Sequence, residues 1–257
     1  MALNKPINLD RIRKIRGGRV TKVGLELEGG WDREPLTRLG IKLEGDGSVK
    51  FEDPTKPIPH QKGELKSHPM PPVELENWVK IYYPQHINKT CGMHMHMSTK
   101  YALYYQMLMT VEYPSTIVKY MKEWAETNKL PPEHPIWDRL AGKSKYCQHI
   151  FTADDQVLTA RRDFDQNAKG HRYTVINYCH KRLGTLECRL LPMMETADLA
   201  VSALNEILSI TERFLVAQAV KEPKIREDIA FSRPGEEEHM FVEVAAGSDL
   251  NSVSLYV

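Results

Sequence analysis

Three short segments of this 257-residue chain each set two ionisable residues two positions apart between apolar neighbours: Glu26-Leu27-Glu28, His94-Met95-His96 and Glu187-Cys188-Arg189. This alternation has the period of a β-strand, in which residues two apart share a face and stand about 7 Å from each other. Val23, Leu25 and Leu27 then oppose Glu26 and Glu28, and Met93, Met95 and Met97 oppose His94 and His96. Leu186, Cys188 and Leu190 oppose Glu187 and Arg189 in the same way. If the three strands share a sheet, one face packs on a core and the other gathers carboxylates, imidazoles and a guanidinium. A layered fold with a polar cleft for metal ions and phosphates follows from that pattern.

The rest of the chain supplies partners for such a sheet. Lys22–Glu28 is the first expected strand, ended by Gly29-Gly30. Ile41–Glu44 and Ser48–Phe51 alternate around Gly45-Asp46-Gly47, a hairpin signal. The prolines within 53–61 mark a loop, Gly63–Ser67 is a short strand carrying Glu64, and a helical spacing begins at Val73. Ser98 is placed to cap a long helix running to about Asn128, which Pro114 should kink or split. Arg172–His180 and Thr185–Leu190 form an expected antiparallel pair, and 196–220 is the clearest amphipathic helix. Strands clustered on either side of helical blocks predict an α+β fold, with a mainly antiparallel sheet and helices on one face. The expected organisation is a basic arm over 1–20 (Arg11, Arg13, Lys14, Arg16, Arg19), one domain over 21–222, and a tail over 223–257 with an edge strand at Met240–Val244.

A formal net charge of +1 gives no electrostatic drive toward nucleic acid or membranes. No apolar run approaches the ~18 residues of a membrane span, and the first residues lack the apolar stretch of a secretory leader. The cysteines Cys91, Cys147, Cys179 and Cys188 are scattered without C-x-x-C spacing, which predicts a reducing cytoplasm.

Each dyad alone has a plain alternative. Glu26-x-Glu28 suits a solvated strand face, Asp46-Gly47 a turn, and Glu187-x-Arg189 a surface ion pair. Cys91-x-x-His94-x-His96 leaves a zinc site open. Combined, carboxylates with an imidazole suit hard cations such as Mg²⁺ or Mn²⁺, and an adjacent arginine suits a transferring phosphoryl group. With neither a P-loop nor a G-x-G-x-x-G segment present, a nucleotide would have to be held by the sheet itself.

Six segments occur in a recognisable order: Gly24–Glu28, Asp46-Gly47-Ser48, Gly63–Pro69, Cys91–Ser98, Arg172–Asn177 and Thr185–Arg189. The series resembles the amidoligase family of the glutamine synthetase-like carboxylate–amine ligases, over roughly residues 22–220, and Gly92–Ser98 is similar to the corresponding strand of glutamine synthetase. The resemblance implies a curved antiparallel sheet forming an active-site funnel, with helices packed on its outer face. It also implies an ATP-dependent ligase that joins a small-molecule or peptide carboxylate to an amine through an acyl phosphate, using Mg²⁺ or Mn²⁺. Glu26, Glu28, Glu64, His94 and Glu187 would be metal ligands, and His96, Ser98 and Lys66 would lie along ATP. Arg189 would stabilise the γ-phosphoryl group, Arg172 would contact phosphate or a substrate carboxylate, and Asp46 would help deprotonate the amine. Homo-oligomers and a bacterial or phage-infected host cell are further expectations of the resemblance. Cys188 stands where the family pattern favours an aromatic or aliphatic residue, and 129–170 matches no family segment, so substrate specificity is expected there. Two readings compete: a zinc-stabilised structural protein and a nucleotide-binding regulator without ligase activity.

Overall fold

A computed structural model of the chain describes residues 19–53, 55–100, 102–149, 173–179 and 183–221. The alternating segments build an antiparallel sheet from β1 (Val20–Trp31), β2 (Gln61–Lys66), β3 (Gly92–Thr99), β4 (Ile176–Cys179) and β5 (Thr185–Pro192), in the order β2-β1-β3-β5-β4. The first β1 residues pair with β3, putting Gly24 opposite His96 and Glu26 opposite His94, while Glu28 faces Glu64 on β2. On the other side of β3, His96 faces Glu187, which in turn faces Asn177 on β4. The three dyads thus lie on adjacent strands of one sheet.

The opposite face is the core. Val23, Leu25, Leu27, Met93, Met95, Met97, Leu186, Cys188 and Leu190 are all buried, as period-2 patterning requires of a half-covered antiparallel sheet. The helices are α1 (Arg33–Leu39), α2 (Leu75–Tyr82, after a 3₁₀ turn at Pro72–Glu74), α3 (Ala102–Leu108), α4 (Glu112–Thr127), α5 (Ile136–Leu140) and α6 (Ala197–Lys221). α6 lies against the methionine face, where Thr211 reaches Met97 Sδ at 3.7 Å and Glu212 Oε1 accepts the Val20 amide at 2.7 Å. α4 packs on α6 through Trp124 Nε1 to Ser202 Oγ at 3.1 Å and the Tyr113–Thr211 hydroxyl pair at 2.7 Å. The result is α+β with an open sheet, backed on one side by helices.

Several local expectations need correction. Gly29-Gly30 does not end β1, which runs on to Trp31. The glycines serve close packing instead: a Cβ at Gly29 would stand 2.5 Å from Pro84 Cβ, and one at Gly30 2.4 Å from Pro59 Cβ. No hairpin forms across 41–51. Glu44 pairs with Glu64 of β2 through two 2.9 Å backbone hydrogen bonds, so it extends the sheet edge rather than folding on its own neighbour. Ser98 is not a helix cap; it lies inside β3, and the helix begins at Ala102. The long helix is split at 109–111, and Pro114 sits in the first turn of α4, where its missing N–H is not needed. α1 was not expected from the sequence; its C-terminal Gly40 takes the left-handed conformation. Residues 1–18, Arg172 and the stretch 240–244 lie outside the described residues. Among the described residues, no helix is long and apolar enough to cross a membrane.

Candidate metal centre

The register brings five of the sequence-predicted ligands and two neighbours onto one patch of the polar face. Three groups of donor atoms, each within 4.8 Å of one another, can be drawn on it: Glu26, His96 and Glu187; Glu26, Glu64 and His94; and Glu28, Asp46 and Glu64. The first and last share no residue, and the middle one bridges them. Donors held about 2.1 Å from a hard cation stand no more than about 4.2 Å apart, so small side-chain movements would close each group on an ion. Carboxylates dominate every group, which is the chemistry of Mg²⁺ or Mn²⁺.

His94 is the hinge of the patch. Its Nδ1 lies 3.1 Å from Glu26 Oε2 and 3.6 Å from Glu187 Oε1, while its Nε2 lies 4.0 Å from Glu28 Oε1. His96 Nε2 faces Glu26 Oε1 at 3.3 Å, and its Nδ1 is held by Thr185 Oγ1 at 3.1 Å. Glu187 is fixed from two sides, by the Arg189 guanidinium on Oε1 and by Asn177 Nδ2 on Oε2 at 2.8 Å. Gly92 donates its amide to Glu28. A Cβ at Gly92 would stand 3.0 Å from Glu28 Oε2 and 3.2 Å from both His94 Nε2 and Arg139 Nη2, so a glycine here keeps that end of the patch open.

The charges on the patch are split. Burial alone would raise the Glu26 carboxyl, but hydrogen bonds and charge from His94 and His96 prevail and hold it well below the usual range. Burial also opposes ionisation of Glu187, and the Arg189, His94 and His96 charges overcome it, so its pKa too is lowered. Glu64 goes the other way, pushed up to about 8 by burial and then by the Glu26 carboxylate, with Lys66 opposing. Burial raises Glu28, against the pull of His94 and the Gly92 amide. For Asp46, burial is outweighed by the Ser48 hydrogen bonds, including its backbone N–H at 2.6 Å, and the carboxyl is lowered. The neighbouring Glu26 and Glu64 carboxyls are thus driven in opposite directions.

Each remaining expected residue has a place. Lys66 bridges Glu44 at 2.7 Å and Glu64 at 3.2 Å, and Ser98 Oγ donates to the Gly184 carbonyl at 3.3 Å. Both line an open cleft of about 230 Å³ beside the patch, together with Lys22, Glu26, His96 and Leu183. Asp46 makes a turn contact with Ser48 and also joins Glu28 and Glu64, so the turn and the site are one structure. Arg189 Nε is buried without a hydrogen-bond partner among the described residues, and the Tyr173 ring covers the guanidinium at 5.7 Å. Cys91 does not join any donor group among the described residues, and burial pushes its thiol up to about 11. The sequence reading missed Arg139 and left Asn177 and Thr185 without roles. Asn177 and Thr185 fall inside segments whose order carried the resemblance, and their strand parity aims them at the patch; Arg139 has no such signal.

No family model, curated protein or solved structure matches this chain.

Proposed function

We propose that the protein is an ATP-dependent carboxylate–amine ligase, and that the open sheet's polar face is the floor of a glutamine synthetase-like active-site funnel. The observation that carries this reading is the pair of disjoint donor groups bridged by Glu26, Glu64 and His94, with the orphaned Arg189 Nε alongside. Adjacent hard-cation sites next to a buried guanidinium whose Nε has no partner among the described residues suit a triphosphate better than a single structural ion. Glu26, His94, His96 and Glu187 would hold one cation, and Glu28, Glu64 and Asp46 another. Bound cations would neutralise the β- and γ-phosphoryl oxygens of ATP.

The chain's own residues supply the rest of the reaction. A carboxylate is a poor electrophile, so its oxygen takes the γ-phosphoryl group and ADP leaves, giving an acyl phosphate. Arg189 would meet the charge developing on that group through its Nε, while Glu187 and Tyr173 keep the guanidinium in place. The amine then attacks the acyl carbon, loses a proton to a base and expels phosphate. The cleft lined by Lys22, Lys66, His96 and Ser98 would receive the nucleotide.

ADP release with pooled carboxylates and amines tests this directly. The ligase reading expects release that needs Mg²⁺, a carboxylate and an amine together, and that Glu187→Ala abolishes. ADP formed without either substrate, or unchanged in the variant, would refute it.

A further inference from the structure

Arg139 is a buried arginine in the segment that matches no part of the amidoligase pattern, and it reaches the metal patch from outside the sheet. Helix α5 is anchored by Ile136 and Leu140, both buried, and this fixes the side from which Arg139 projects. Its Nη1 donates to the carbonyls of Arg189 and Leu191, each at 2.9 Å. These carbonyls flank an irregularity in β5: Met95 pairs with Cys188 but Met93 with Leu191, so Arg189 and Leu190 both stand against His94. Such a bulge re-aims side chains and takes its shape from whatever satisfies its backbone. The other end of the guanidinium, Nη2, comes within 3.2 Å of the point where a Gly92 Cβ would lie, beside Glu28 Oε2 and His94 Nε2.

We infer that Arg139 is a positioning residue of the centre, holding the bulge that carries Arg189 and so setting, through the Arg189 guanidinium, where Glu187 stands in the patch. It acts through other groups: the backbone at 189–191 aims the Arg189 guanidinium, and that guanidinium holds Glu187 Oε1. The planar fork suits the task, because two hydrogens of one nitrogen bridge two carbonyls while the second nitrogen remains for the acidic end. This inference rests on the metal-centre reading and goes beyond it.

The test is Mn²⁺ titration of the full chain by electron paramagnetic resonance, for wild type, Arg139→Lys, Glu187→Gln and the double variant, with a thermal melt of each. Lysine keeps the charge but replaces the fork by a point donor, and loss of an outer support of this kind lowers metal affinity about 10–100-fold. The expected result is such a loss in Arg139→Lys, with the double variant no weaker than Glu187→Gln alone. Losses that add, or a lower melting temperature with unchanged Mn²⁺ affinity, would mean a purely structural arginine and overturn the inference. If the lysine variant does not fold, Arg139→Gln, which keeps a single donor group, takes its place under the same criteria. A wild type that binds Mn²⁺ while Arg139→Lys is indistinguishable from it overturns the inference alone. A wild type that binds none overturns the metal-centre reading and the inference together.

Discussion

Cation binding to this patch should release a proton, and Glu64 sets the amount. Its carboxyl is pushed up to about 8 by burial, with the Glu26 carboxylate beside it adding to the shift. At pH 7 the group is then about nine-tenths protonated, so each cation bound at Glu64 expels about 0.9 proton. Apparent affinity should rise about tenfold per pH unit up to pH 8 and level off above it, a change of about 2 kcal/mol between pH 6.5 and 8. Without a cation the sign is opposite: a raised carboxyl contributes stability below its ordinary value of 4.5 and loses that contribution as pH rises through about 8. Glu64→Gln removes this ionisable group, so proton release should fall and the affinity profile should flatten and weaken. Calorimetric titration with Mn²⁺, in buffers of different protonation enthalpy, reads both quantities. Wild-type affinity that is flat between pH 6.5 and 9, with no proton released, would refute the assignment of Glu64 as a ligand.

Two further outcomes follow from the packing and the charge pairing. Gly30→Ala drives a Cβ to 2.4 Å from Pro59, and should destabilise the fold by about 1–3 kcal/mol in a denaturant melt; an unchanged midpoint would show that the loop over β1 yields freely. Glu187→Gln leaves Arg189 without its partner and should cost about 3–5 kcal/mol at neutral pH. Because the Glu187 carboxyl is held below its ordinary value, that deficit should shrink as pH falls below 4.5, where the wild type loses its ion pair and the two acid-unfolding curves converge.

The polar patch was legible in the sequence because strand parity is a strict constraint. Once Leu25, Met95 and Cys188 are committed to the core, Glu26, His94, His96 and Glu187 have only the other face to occupy. The antiparallel β4–β5 pair was legible because a short turn joins its strands, but the neighbours of β1, β2 and β3 were not, since their pairing depends on long-range contacts that no local period encodes. The hairpin expected at Gly45-Asp46-Gly47 fails for this reason: the edge of β2 offers Glu44 a partner 20 residues away in the chain. Gly29-Gly30 misled because a glycine pair inside a strand looks like a stop when the proline loops packed on it are unseen. Arg139 was invisible because a single arginine in a short, proline-flanked helix has no periodic signature, and its importance comes only from the carbonyls it meets.

The polar sheet face should bind more than one hard cation side by side. Mn²⁺ stoichiometry, with electron paramagnetic resonance of the saturated protein, tests it most directly. At least two Mn²⁺ per chain are expected, with spectra broadened by coupling between neighbouring ions and lost together in Glu26→Ala. A single uncoupled ion, or none, would contradict it.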